Sequence, residues 1–109
     1  MLYKFKSKVA SDIIMLEPHG RHILKLWGRL DEGALRQGIL LAADMRVAIE
    51  ALEEAVAQDE ARRIQAALEA QEQGEERAPA GVSLRQRATP LLDMARRSLA
   101  SGTDITWGV

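Results

Sequence analysis

Within residues 2–9, LYKFKSKV, the stretch from Tyr3 to Val9 sets a lysine at every second position, with Tyr3, Phe5, Ser7 and Val9 between. An extended strand sorts this pattern, placing Tyr3, Phe5 and Val9 on one side and Lys4, Lys6 and Lys8 on the other. A strand with a single apolar face needs neighbouring strands along its edges and an apolar layer over that face. The remainder of the chain must supply both, which leaves few architectures open.

Two further segments read as strands. DIIMLE (12–17) is a short apolar run rich in isoleucine, and a turn at Ala10-Ser11 would fold it back on the first strand as a hairpin. TDITW (103–107) alternates again, with Ile105 and Trp107 on one side and Asp104 and Thr106 on the other. The hairpin cannot hide all its aliphatics: either Ile13 and Met15 or Ile14 and Leu16 must share the lysine side.

The covering layer reads as helices. After Pro18, which suits a first helical position, Ile23, Leu24, Trp27 and Leu30 form a helical stripe closed by Gly28. A third strand over 18–28 is the other reading of that segment. Residues 29–41 read as a connection. Met45, Ala48, Ile49, Leu52, Ala55 and Val56 form a wide apolar stripe that fails at Asp59, so this helix either breaks there or continues into water. QGEERAPAG reads as a mobile linker within 73–82. Ser83 and Gln86 fit a capping box, and Leu84, Ala88, Leu91, Leu92, Ala95 and Leu99 form the apolar face of a last helix, with a kink expected near Gln86–Ala88 from Pro90. The order is β-β-α-α-α-β: one α+β domain over 1–109, with a small antiparallel or mixed three-stranded sheet and helices packed on one face.

Composition narrows function more than it names it. The 109 residues contain no cysteine, which removes disulfides, thiolate metal ligands and thiol nucleophiles. No apolar run approaches the roughly 18 residues needed to cross a bilayer, and no leader pattern is visible, so a cytoplasmic location is expected. Net charge is −1, but residues 1–30 carry six basic against two acidic groups, 31–81 five against twelve, and 82–109 four against two.

Candidate chemistry is sparse. His19 and His22 with Glu17 have i, i+3 spacing on a helix, yet zinc takes three or four protein ligands and a third histidine is lacking. The serines and threonines fall in no nucleophile elbow, and no phosphate-binding glycine motif is present. No cofactor, metal or catalytic activity is expected. Arg85, Arg87, Arg96 and Arg97 invite a nucleic-acid reading, but the aromatics that could stack bases look like core. What remains is the sheet side carrying Lys4, Lys6 and Lys8 beside an aliphatic pair such as Ile14 and Leu16.

The blocks LYKFKSK, DIIMLEP, HILKLWG and SLRQRATPLLDMARRS followed by DITWGV resemble a small family of uncharacterised proteobacterial proteins, a domain of unknown function. The resemblance covers nearly the whole chain. It implies a stand-alone bacterial protein, cytoplasmic, and supplies no catalytic residues. The expected function is therefore a non-enzymatic role by contact with an unknown protein partner or by self-association as a homodimer. The alternative is a nucleic-acid accessory role using the lysine face and the arginine-bearing helix.

Overall fold

The two ends of the chain meet in one antiparallel sheet. In a computed structural model that describes residues 2–29, 31–74 and 83–108, β1 (Leu2–Ser7) lies between β2 (Ala10–Leu16) and β4 (Ile105–Trp107), and β3 (Gly38–Leu40) completes the order β2-β1-β4-β3. The sheet thus has four strands rather than three. Tyr3 pairs with Met15, Phe5 with Ile13 and with Trp107, and Leu40 with Ile105, so one face collects the aromatic and aliphatic side chains. Lys8 and Val9, not Ala10 and Ser11, make the hairpin turn, and a register shift between Phe5 and Ser7 accommodates it.

Helices cover that face alone. α1 (Glu17–Leu26) follows β2 directly, with Pro18 in its first turn, and ends at Gly28 in the left-handed conformation (φ 73°). Residues 18–26 are therefore helical rather than a strand, and Trp27 and Gly28 form the turn that closes the helix. α3 (Met45–Glu72) runs 28 residues without a break at Asp59. α4 (Leu84–Ser101) has the capping box: Ser83 Oγ accepts from Gln86 N at 3.2 Å, and Gln86 Oε1 accepts from Ser83 N at 3.0 Å. α4 passes through Pro90 as one helix, although Pro90 offers no N–H to the preceding turn. Its buried face is Leu84, Ala88, Leu91, Met94, Ala95 and Ser98; the expected Leu92 is only half-buried and Leu99 is exposed.

All four aromatic residues of the chain form one cluster beneath the sheet. Phe5 sits at its centre, 5.9 Å from Trp27 edge-on, 6.2 Å from Trp107 and 6.5 Å from Tyr3. Each such pair adds about 0.5–1.5 kcal/mol beyond burial. The polar ends of the rings organise a stretch read from sequence as a plain connection. There the chain forms α2 (Glu32–Arg36), N-capped by Asp31, whose carboxylate accepts from Ala34 N at 3.1 Å. The last carbonyls of a helix have no partner within it. Here Tyr3 Oη donates to Leu35 O and Trp107 Nε1 to Ala34 O, both at 2.6 Å, which lays α2 across the aromatic cluster and delivers β3 to the edge of β4.

Asp59 explains why α3 does not stop where its apolar stripe does. Its carboxylate accepts from Leu84 N at 3.2 Å, the first turn of α4, and from Arg63 Nε at 3.1 Å. Glu60 adds a pair with Arg85, whose NH2 lies 3.0 Å from Oε2. A position that spoils the stripe is thus a tie between two helices. Leu30 of the expected α1 stripe, most of the expected linker (75–82) and Val109 lie outside the described residues.

Candidate functional site

The side of the sheet opposite the helices carries the residues with no evident structural duty. Alternation along β1 sends Leu2, Lys4 and Lys6 outward. Their cross-strand partners are Leu16, Ile14 and Thr106, and Thr106 pairs on its other side with Ile39. Of the two aliphatic pairs that β2 could turn outward, it is Ile14 and Leu16. Leu2 is 60 % exposed, Leu16 58 %, Ile14 56 % and Ile39 46 %. A fully buried aliphatic side chain contributes about 1.5–3 kcal/mol, so these four leave roughly 3–6 kcal/mol of burial unrealised.

Cations share the face. Lys4 is exposed and Lys6 half-buried, while Lys8, expected on the same strand face, stands at its rim in the hairpin turn. None of the three forms an ion pair among the described residues. An open groove of about 460 Å³ runs past Lys6, Lys8, Asp12, Ile39 and Thr106. Asp104, also on its wall, accepts from Ala42 N at 2.7 Å and so holds the short 3-10 turn Ala42–Asp44 that leads into α3.

The arginines behave differently. Arg85 is held by Glu60, Arg96 lies 3.6 Å from Glu53, and Arg97 lies 3.0 Å from Asp93. Arg87 is half-buried, with its guanidinium against His19 Nδ1. All four belong to the helical layer, on the other side of the sheet from Lys4 and Lys6. The structure does not bring lysines and arginines into one surface.

Nor does it gather Glu17, His19 and His22. Glu17 pairs with Arg21 at 3.1 Å, and His19 faces Arg87. His22 is held below the usual histidine range by burial first, then by the positive charges of Arg87 and Lys25, with Asp59 opposing. Among the described residues no three His, Cys, Asp or Glu side chains converge as metal ligands.

One polar pair escaped the sequence reading. Ser98, fully buried, donates to Met94 O at 2.7 Å, so the 2.7 Å contact between Ser98 and Ser7 hydroxyls has Ser7 as donor. This chain of bonds pins the hairpin turn to α4. The i, i+4 relation of Ser98 to an apolar face was a readable signal only once the turn was placed at Lys8-Val9.

A family profile described as a domain of unknown function, DUF1840, matches residues 1–107. The chain belongs to the DUF1840 family. The match includes every strand and helix described above, as expected of a resemblance that covers nearly the whole chain. No curated protein and no solved structure matches. No helix among the described residues is long and apolar enough to cross a membrane.

Proposed function

We propose that this DUF1840 chain is a non-catalytic domain that works by protein–protein contact through the outer face of its sheet. The observation that carries this reading is the coincidence, on one face, of four half-exposed aliphatics with lysines that form no ion pair among the described residues. Scattered surface aliphatics are ordinary, but Leu2, Leu16 and Ile14 adjoin across β1 and β2 beside Lys4, and neighbouring apolar side chains rimmed by charge mark interaction sites. A partner with apolar and acidic side chains would bury the first and pair the second.

A photo-cross-linking side chain placed at Ile14 in living cells tests it. Discrete protein adducts are expected from position 14 and not from the exposed Arg46 on the opposite layer. Identical adduct patterns from the two positions would remove the reading.

A second reading, nucleic-acid contact, is favoured by the same unpaired lysines alone, because the arginines of α4 are occupied. It requires DNA or RNA retention at low salt that disappears in Lys4→Glu/Lys6→Glu and falls steeply as salt rises.

A further inference from the structure

We propose that the occupant of the outer sheet face is a second copy of the chain, and that the docking element is the overhanging end of α3. This rests on the binding-face reading above and names its partner. The buried positions of α3 end at Val56, and its ties to α4 lie at Asp59 and Glu60. From Ile64 to Glu72 the helix has no buried residue. The overhang shows in the shape: the radius of gyration is 15.7 Å, against about 13 Å for a compact chain of this length.

The overhang is complementary to the sheet face in three respects. Ile64 and Leu68 stand one turn apart and are 63 % and 50 % exposed, which matches the exposed Leu2, Ile14, Leu16 and Ile39. Glu69 and Glu72 are the only charged residues in IQAALEAQE (64–72), and Glu72 follows Leu68 by one turn, so the apolar row leads into a carboxylate. Among the described residues Glu69 has a hydrogen bond only from the neutral Gln65 amide, at 3.1 Å, which leaves its carboxylate available for Lys4 and Lys6. In length, nine helical residues span about 13 Å, and four strands about 4.8 Å apart span about 14 Å.

The overhang cannot satisfy its own sheet. It continues an unbroken helix that lies on the aromatic side, whereas the lysines face the other way. Each copy offers one overhang and one sheet face, so a twofold axis applies the contact twice.

Sedimentation of the full chain tests the proposal with four proteins: wild type, Lys4→Glu/Lys6→Glu, Glu69→Lys/Glu72→Lys, and all four changes together. Far-ultraviolet circular dichroism checks that each is folded. The wild type is expected to dimerise reversibly and to weaken at ~1 M salt, where screening reaches about 3 Å. Each double reversal should raise the dissociation constant about tenfold or more, and the combination should recover most of that loss. A wild type that stays monomeric, a dimer indifferent to both reversals, or a combination no tighter than the weaker reversal overturns the proposal. A monomer that still gives adducts from position 14 sinks self-docking while leaving the binding face intact; a monomer without such adducts sinks both.

Discussion

A methyl group on Gly38 would stand 2.4 Å from Cζ2 and 2.7 Å from Cε2 of Trp107. The indole cannot retreat, because its N–H is bonded to Ala34 O. Gly38→Ala should therefore cost about 1–3 kcal/mol, as overpacking of a tight site does, and the loss will appear as a lower urea midpoint. Gly20 meets Tyr3 in the same way, its would-be Cβ 2.3 Å from the ring. Protonation acts at this scale too. Because His22 is held below its ordinary 6.5 in the folded chain, its neutral form is the folded form. Its contribution is complete above about pH 6.5 and is lost as pH falls through that value toward the depressed folded pKa. Asp59 is opposed by its own burial, but the Leu84 N–H and Arg63 outweigh that and hold it below 3.8, so its contribution persists to lower pH before it too is lost. His22→Gln should flatten the decline in urea midpoint between pH 7 and about pH 5 and leave the decline at more acidic pH in place.

Elements were legible where their period had room to repeat. β1, α1, α3 and α4 each carry enough residues for a period of two or of 3.6 to show, β2 showed as a short isoleucine-rich run, and β4 showed through Ile105 and Trp107. α2 and β3, five and three residues long, carry no such period. They exist because Tyr3 and Trp107, distant in sequence, donate to carbonyls of α2, information that no local window contains. The outer sheet face inherits the same division. Lys4 and Lys6 followed from alternation along β1; alternation left Ile14 and Leu16 or Ile13 and Met15 to share their side, and the register chose the first pair; Leu2 shares the parity of Lys4 and was readable; Ile39 was not, since its strand was unseen. Asp59 is the clearest element-scale role: the sequence left open whether the helix breaks there or continues, and the structure shows it continuing, with Asp59 tying it to α4. In isolation, alanine at that position would favour the helix slightly. Asp59→Ala should nonetheless destabilise the protein by about 1.5–3 kcal/mol, the scale of a charged hydrogen bond, because it frees the N-terminus of α4. Ser83→Ala, which removes one capping bond, should cost about 1 kcal/mol by the same denaturation measurement.

At the scale of the whole molecule, the sheet divides the protein into a side that makes it stable and a side that does not. The aromatic cluster, α1, α3 and α4 share one core, and the outer face contributes nothing to it. The strand order β2-β1-β4-β3 has a consequence in time. During synthesis β1 leaves the ribosome before the other three strands and β4 after them, yet β4 stands between β1 and β3 and brings Trp107 to the aromatic cluster. Until it emerges, the nascent hairpin has a bare inner edge and β3 has nothing to pair with. A chain shortened to end at Thr103 should therefore lack cooperative unfolding, and in the growing polypeptide the exposed edge of β1 is the strand that chaperones have to guard.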